Sequence, residues 1–414
     1  MSVARDSLRL LILAPFAPRL DAPHGGGKAI AGLVCALGER HRVALLCLRP
    51  RDDPSCDAVV RERCELVEEF ELPGVGRTFL LRWQRKARLL AGLASGRPMW
   101  VSDTDVATLA ARVRQLAHDW APDVIQAEYH VMAQYFRQER GVPRVLTEIE
   151  PGADAAADTQ RSARGIVRLL LRADLRAWRR FEQRALTEAD AVVAYTERDR
   201  RALLALEPEA HVSQIPMGFD VRGSPLSAAG SEPESYLFAG NFMHPPNIEA
   251  ARRLVCEIGP RVASKRPDAK LYIVGDRAPS SVRRMAKENV VVTGFVEAVD
   301  PYLDRAAVVV VPLRSGGGQR VKVMEALAAG KALVASPLAV EGLDLADGEE
   351  VVIAETDEEF ASAVVDLLGD ERRRCTLARK ARDWAEANLG WGRVVAAYEE
   401  LYAEVSRGRR RSRT

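Results

Sequence analysis

Residues 308–325 read VVVVPLRSGGGQRVKVME, and the fold of the whole chain is interpreted from this stretch. Its four opening valines are typical of a strand that is buried on both faces of a parallel sheet. Residues 315–318 (SGGG) favour a tight turn, because glycine adopts positive φ and lets a ligand approach the backbone. From Gln319 onward the apolar residues take helical spacing. The stretch therefore predicts a strand, a glycine turn and the start of a helix.

A turn of this kind, placed ahead of a helix, is suited to binding an anion. The unpaired N–H groups and the dipole of the helix point at the turn, and Arg320 and Lys322 add two positive charges. Glu325 follows about one turn later, where a carboxylate can accept hydrogen bonds from hydroxyl groups. Phosphate-binding and hydroxyl-binding groups side by side indicate a nucleotide-sugar site. An ordinary strand–turn–helix whose Arg and Lys face water is the alternative interpretation.

Length and composition indicate how many domains to expect and which classes of partner they disfavour. A chain of 414 residues is long enough for two domains with separate cores. The net charge of +2 selects no particular partner and gives no reason to expect nucleic acid. The six cysteines form no CxxC pair and have no histidine at zinc spacing, which predicts free thiols in a cytoplasmic protein. No apolar stretch reaches the ~20 residues that span a bilayer, and residues 8–17 are predicted as a buried first strand rather than an export signal.

Strands and helices alternate in both halves of the chain, which predicts an α/β fold with two parallel sheets. We expect an acceptor-side domain at 1–221, a linker at 222–235 and a second domain at 236–387. A terminal helix at 388–406 is expected to return to the first domain, and 407–414 to form a basic disordered tail. Two such domains imply a ligand-binding cleft between them.

A second glycine-rich segment, HGGGK, occupies residues 24–28. Gly25, Gly26, Gly27 and Lys28 are predicted to form a loop just ahead of a helix, facing the cleft. The spacing is not GxGxxG, and no acidic residue ends the second predicted strand. A dinucleotide site of the Rossmann type is therefore disfavoured.

Several segments in the second half follow one another as in a known family. They resemble the C-terminal domain of family-4-like (GT4) glycosyltransferases, and the earlier IPMGFD at 215–220 is similar to the family's hinge, with Met217 in place of the usual Asn. The resemblance implies the GT-B fold, in which two Rossmann-like, doubly wound domains face each other across a cleft. The segments are Gly240 with Asn241, then 271–275, 293–295, 311–314, 316–322 and Glu325 with Ala326.

The resemblance also implies roles for individual residues. Glu325 is similar to the second Glu of a paired-glutamate motif and would hold the ribose, while Gly317 stands where the first Glu would be. The chain matches the family variant that has a glycine loop followed by Arg and Lys. The expected donor-binding residues are Gly240, Asn241, Asp276, Gly316, Gly317, Gly318, Gln319, Arg320, Lys322 and Glu325, and the expected catalytic residues are His130, Arg320, Lys322 and Glu325.

The implied reaction is transfer of a sugar from a UDP- or GDP-linked donor to a glycan or lipid-linked acceptor, in bacterial polysaccharide or glycoconjugate synthesis. Retention of configuration is implied, and the lack of a DxD-like carboxylate pair at a strand end predicts that no metal or other cofactor is required. His130 has an alternative interpretation as a surface histidine after a strand end. Two other functions also stay open: a nucleotide-sugar epimerase on the same fold, and a non-catalytic protein derived from a transferase.

Two basic segments interleave arginines with apolar residues. They occupy 79–90 (FLLRWQRKARLL) and 165–184 (GIVRLLLRADLRAWRRFEQR). Basic amphipathic helices of this type bind anionic membrane surfaces, and packed helices with one solvated face give the same pattern. Peripheral contact with the inner face of the cytoplasmic membrane is therefore one expectation for this chain.

Overall fold

The computed structural model describes residues 7–22, 25–73, 79–139, 141–149, 151–162, 164–221, 223–317 and 319–412. The chain divides into two compact units. Unit 1 consists of Met1–Ala22, Gly26–Met217 and Val394–Thr414. Unit 2 consists of Pro23–Gly25 and Gly218–Arg393. Unit 1 is therefore assembled from both ends of the chain.

Unit 1 contains a parallel sheet of seven strands in the order β3-β2-β1-β4-β5-β6-β7. The central strands are continuous apolar runs because helices cover both faces of the sheet. The edge strand β3 (LVEEFE) is half-buried and carries three glutamates, and its polar sequence gave no strand signal. The strands are β1 Arg9–Ala14, β2 Arg42–Arg49, β3 Leu66–Glu71, β4 Val124–Glu128, β5 Arg144–Glu148, β6 Ala191–Ala194 and β7 Val212–Gln214.

The helices of unit 1 lie between these strands in the sequence. They are α1 Gly25–Gly38, α2 Ala58–Glu62, α3 Phe79–Ala94, α4 Met99–Asp103, α5 Ala107–Asp119, the 3-10 helix His130–Gln138, α6 Gly152–Ser162, α7 Gly165–Glu188 and α8 Glu197–Leu206. The predicted loop at residues 25–28 is thus the first turn of α1. Glycine disfavours a helix by about 1 kcal/mol, but burial of Gly27, Ala29 and Ile30 against unit 1 stabilises this turn.

Unit 2 contains a second parallel sheet, of six strands in the order β10-β9-β8-β11-β12-β13. The strands are β8 Glu232–Ala239, β9 Lys270–Val274, β10 Val290–Gly294, β11 Ala306–Val311, β12 Ala332–Ala335 and β13 Val352–Ile353. The prediction of an α/β fold with two parallel sheets is confirmed. β8 begins inside the segment 222–235 that we expected to be a linker, and its polar first residue Glu232 pairs with Ala306.

The helices of unit 2 pack on both faces of this sheet. They are α9 Pro245–Arg253, the π-helix Leu254–Ile258, α10 Gly259–Lys265, α11 Ser280–Arg283, α12 Asp300–Arg305, α13 Val321–Ala328, the 3-10 helix Pro337–Val340, α14 Asp357–Gly369 and α15 Glu371–Asn388. The last helix, α16 Trp391–Ser412, places Tyr398, Leu401 and Tyr402 in the core of unit 1.

Two predictions about the whole chain can be compared with the structure. All six cysteines are free, as expected from their spacing. Among the described residues, no helix combines the length and the apolar character that crossing a bilayer requires.

Candidate functional site

The site predicted from the sequence lies where the strand order of unit 2 reverses. β8 and β11 are neighbours, while the strands that follow each of them lie on opposite sides. Connections leave the carboxyl ends of such a strand pair in opposite directions, and the crevice between them is where open α/β sheets bind ligands. The loops after β8 and β11 contain most of the predicted donor-binding residues.

The loop after β11 has the predicted form. All six residues of β11 are buried, and α13 begins at Val321, two residues later than expected. Gly316 has φ +110°, a conformation that residues with a side chain rarely adopt. Gly318, one of the predicted donor-binding residues, lies outside the described residues.

Arg320 shapes this loop. Its guanidinium donates to the carbonyl oxygen of Gly316 at 2.7 Å and to that of Gly317. The side chain thus folds over the turn and holds its positive charge against the glycine backbone. Gln319, the residue before it, is half-buried. Arg320 therefore contributes both the form of the loop and part of its positive potential.

Lys322 links the two loops of the crevice. Its Nζ donates to Oδ1 of Asn247 at 2.7 Å and lies 5.4 Å from the centroid of the Phe238 ring. Burial and, second to it, the charge of Arg320 lower the pKa of Lys322 to about 8, while the charge of Glu325 opposes the shift. An ammonium group has three N–H donors, so hydrogens beyond the one given to Asn247 can reach an anion.

The loop after β8 is held against the loop after β9 by a close backbone contact. Gly275 has φ +147°, and a Cβ there would lie 1.8 Å from the carbonyl oxygen of Gly240. The Phe242 amide donates to the carbonyl of Asp276 at 3.0 Å, and Asn247 donates to the carbonyl of Asn241 at 2.7 Å. The structure therefore brings Gly240, Asn241 and Asp276 together.

Glu325 lies half-buried in the second turn of α13, and its charge acts on the ammonium of Lys322. The carboxylate is thus close to the two basic residues of the loop, as the sequence spacing predicts. A site with cationic and hydroxyl-accepting groups on one helix start can hold a phosphate and a sugar hydroxyl together.

Two supporting residues were missed at the sequence level. Asn247 is buried and positions Lys322. Arg253 is also buried, and it donates to the carbonyl of Pro312 at 3.0 Å and to that of Glu355 at 2.6 Å. It thereby fixes the start of the loop after β11. The only sequence signal for this role of Arg253 was its position among the apolar residues of a predicted helix.

Unit 1 contains a buried cluster around His130. Its Nδ1 lies 2.9 Å from Oε2 of Glu148, and the ligand atoms of His130, Glu148 and Glu182 all lie within 4.8 Å of one another. Trp178 packs edge-on against the imidazole at 4.7 Å between ring centroids, and Trp100 does so at 5.4 Å. His130 is only 3% exposed, so it is a core residue in this structure.

The carboxyl groups of this cluster are strongly perturbed. Desolvation and, second to it, the neighbouring charge of Glu148 raise the pKa of Glu182 to about 7. Desolvation also raises the pKa of Glu148. Glu182 accepts backbone N–H groups at the start of α6, from Gly152 at 2.7 Å and Ala153 at 3.2 Å. Imidazole and carboxylate oxygen are ligands that divalent transition metals accept, so these three residues could hold a proton or a cation.

Comparison with known proteins matches both halves of the chain to transferase families. Residues 233–370 match the family model of the glycosyl transferases group 1. Residues 24–218 match the model of the glycosyl transferase 4-like domain. The predicted donor-binding residues from Gly240 to Glu325 all fall within the first match.

The chain is similar to a curated relative and to solved structures. It is 28% identical over 204 residues to the phosphatidyl-myo-inositol mannosyltransferase of Mycolicibacterium smegmatis, an alignment that covers 47% of this chain and about half (52%) of that relative. Among solved structures, sucrose-phosphate synthase from Thermosynechococcus elongatus has a TM-score of 0.68 at 18% identity, covering 96% of this chain and 99% of that one. HepE from Anabaena in complex with UDP and glucose has a TM-score of 0.65 at 15% identity, covering 96% and 100%. These structures show the GT-B fold.

Proposed function

We propose, from the premise that this chain is a two-domain glycosyltransferase of the GT-B fold, that it moves a sugar from a UDP- or GDP-linked donor to a glycan or lipid-linked acceptor. The observation that carries the proposal is the geometry at the start of α13. There Lys322 and Arg320 lie beside a glycine turn at the strand-order reversal, with Glu325 one turn further on. The UDP bound by HepE supports a uridine donor.

The reaction needs the bond between the anomeric carbon and the diphosphate to break while the acceptor oxygen forms a new bond to that carbon. Negative charge then develops on the leaving diphosphate. Prearranged donors that meet this charge lower the barrier, and we assign this role to Lys322, Arg320 and the amides of the glycine turn. Glu325 accepts hydrogen bonds from the ribose. The acceptor hydroxyl passes its proton to the leaving phosphate, with retention of configuration and without a metal.

Nucleoside diphosphate release from a panel of nucleotide sugars, with the acceptor supplied as membrane glycolipid extract, tests this proposal. Lys322→Ala and Glu325→Ala should each lower kcat/KM by about 10- to 100-fold, since each removes a charged hydrogen bond. Lys331→Ala is the matched control, because Lys331 is also a buried lysine of unit 2 but donates to the carbonyl of Ser227. Full activity in both site variants would refute the assignment, and sugar conversion without nucleotide release would indicate an epimerase. Unchanged activity in EDTA is expected.

We also propose peripheral contact with the cytoplasmic face of an anionic membrane, as suits a lipid-linked acceptor of bacterial polysaccharide or glycoconjugate synthesis. The apolar side chains of Trp83 and Leu169 are more than 60% exposed, and Arg168 and Arg172 lie exposed beside Leu169 on α7. Apolar and basic groups together favour the interface of an anionic bilayer. Arg88 of α3 is engaged elsewhere, 2.9 Å from Asp103.

Flotation with phosphatidylglycerol vesicles tests the membrane contact. Trp83→Ser with Leu169→Ser should abolish co-flotation. Val59→Ser is the control, because Val59 is an exposed apolar residue of α2. Equal flotation of the wild-type chain on neutral phosphatidylcholine would contradict an electrostatic contribution.

A further inference from the structure

Unit 1 contains a cavity that plays no part in the site described above. Its volume is about 380 Å³, which lies at the lower end of the range of small-molecule pockets. It is formed by the second half of α7, the end of the 3-10 helix His130–Gln138 and the turn between α3 and α4. Its apolar wall includes Phe181, Ala133 and Ala185.

Four arginines surround this cavity, and two of them are paired with acids. Arg97 donates to Asp105 at 2.8 Å and to Oε1 of Gln134 at 3.1 Å. Arg137 donates to Glu188 at 3.0 Å. These contacts orient the two guanidinium groups and neutralise their charge.

The other two arginines carry uncompensated charge. Arg180 and Arg184 lie one turn apart on α7, where like charges repel each other. Within the part of the chain that the structure describes, neither has an acidic partner within ion-pair distance. The guanidinium of Arg180 reaches across the cavity towards Gly96, to 3.6 Å from the position that a Cβ there would take. The cavity thus has an excess of two positive charges.

We propose that this cavity binds the phosphate group of a phosphate ester. Guanidinium groups match phosphate oxygens with paired N–H donors, and the two unpaired arginines match the charge of about −1.5 to −2 that a phosphate monoester carries at pH 7. The apolar wall at Phe181 offers a surface for the carbon part of the ester. A lipid whose headgroup is a phosphate monoester, such as phosphatidic acid, and a soluble phosphate ester present the same chemistry, and the site does not depend on the proposed sugar transfer.

Titration calorimetry of the full chain with glycerol 1-phosphate at low salt tests the proposal. The double variant Arg180→Ala with Arg184→Ala should weaken binding by at least about tenfold. Arg176→Ala with Arg179→Ala is the matched control, because it removes two exposed arginines from the same helix outside the cavity and should change affinity by less than about twofold. Absence of saturable binding to the wild-type chain, or equal weakening in both double variants, would overturn the site. Thermal melting verifies that the variants fold.

Vesicle binding separates the two sources of phosphate. If the ligand is a lipid headgroup, glycerol 1-phosphate should displace the wild-type chain from phosphatidic acid vesicles, and the cavity variant should bind these vesicles less well than the control variant. If the ligand is a soluble ester, both double variants should bind vesicles equally while only the cavity variant loses glycerol 1-phosphate. Both results support a phosphate-binding site in the cavity and differ only in the source of the phosphate. Nucleotide release by the cavity variant remains measurable in either case, so this test and that of the transferase activity fail separately.

Discussion

Lys322 is the residue that we propose as a phosphate ligand, and its pKa sets a pH limit on that role. Its removal from water lowers its pKa to about 8, so its positive charge is present at neutral pH and is lost as pH rises above about 8. The hydrogen bond to Asn247 and the ring of Phe238 hold the group in place. A group held in place in this way has lost part of its hydration, which is unfavourable. In return, the protein does not have to rearrange this group when the ligand binds.

The affinity of the chain for UDP and GDP should therefore fall as pH rises through about 8. The protonated form binds, the folded-state pKa is about 8, and each pH unit above it removes up to about tenfold of the Lys322 contribution. Calorimetric titration between pH 6.5 and 9.5 measures this. Lys322→Ala should bind weakly with a flat profile over that range, and Lys331→Ala should retain the wild-type profile. A wild-type affinity that does not change with pH would contradict a role for Lys322 in phosphate binding.

The residues at the centre of this site could be predicted from the sequence, but their supports could not. The central residues are close in sequence, so their proximity in space follows from local strand–turn–helix geometry. They are the glycines of the turn, Arg320, Lys322 and Glu325. Asn247 and Arg253 reach the same loop from α9, more than fifty residues earlier. Their roles depend on β8 and β11 being neighbours in the sheet, which is a tertiary fact.

At the scale of elements, β4, β5 and α16 share a buried polar layer in unit 1. Glu128 accepts hydrogen bonds from Gln126 at 2.5 Å and from Thr147 at 3.0 Å. Tyr402 of α16 donates to Gln126, and the hydroxyl of Tyr398 lies 3.3 Å from that of Thr147. Hydrogen bonds satisfy most of these groups, but Oε2 of Glu128 has no partner among the described residues. Desolvation raises the pKa of Glu128 to about 7, against its hydrogen bonds with Gln126 and Thr147.

Glu128→Gln should stabilise the chain at pH 8 but not at pH 5. Because the folded-state pKa of about 7 lies above the reference value of 4.5, the stability that Glu128 contributes is fully present below pH 4.5 and lost as pH rises through 7. The neutral amide of Gln does not titrate and so avoids this loss. The loss amounts to at most about 3 kcal/mol in the free energy of unfolding, which corresponds to several degrees in Tm. Differential scanning fluorimetry at both pH values measures the difference in Tm between the wild-type chain and the variant. Glu400→Gln, on the exposed side of α16, is the control, and an equal effect of Glu128→Gln at both pH values would contradict the assignment.

Element types were easier to predict than element ends. The buried strands were found because apolar runs between helical segments leave few alternatives. The first turn of α1 and the start of β8 were missed because the local preferences of glycine and of charged residues oppose the state that packing imposes on them. His130 was predicted to be catalytic or, alternatively, a surface histidine, whereas the structure encloses it between Trp100 and Trp178, which are distant in sequence.

For the whole molecule, unit 1 depends on a segment that follows unit 2 in the chain. The buried side chains of α16 in this unit are Val394, Val395, Tyr398, Leu401, Tyr402 and Val405. Glu399 adds polar contacts, with His41 at 3.2 Å and Arg40 at 3.0 Å. Each large apolar side chain contributes about 1.5–3 kcal/mol on burial, so the segment supplies a large part of the marginal stability of a domain.

Truncation after Arg393 should therefore unfold unit 1 while unit 2 stays folded. The deletion removes the apolar cover of β4 and β5 and leaves Gln126 without the tyrosine that donates to it. Unit 2, which consists of Pro23–Gly25 and Gly218–Arg393, loses none of its residues and keeps its core. Limited proteolysis with mass spectrometry should show a resistant fragment near residues 218–393 and rapid cleavage before it. Truncation after Ser406 removes residues 407–414, which we expected to be disordered but which continue α16 as far as Ser412. It should leave both units resistant, since Val405 is the last buried side chain among the described residues of α16. Resistance of residues 26–217 in the longer deletion would show that the returning helix is dispensable for unit 1.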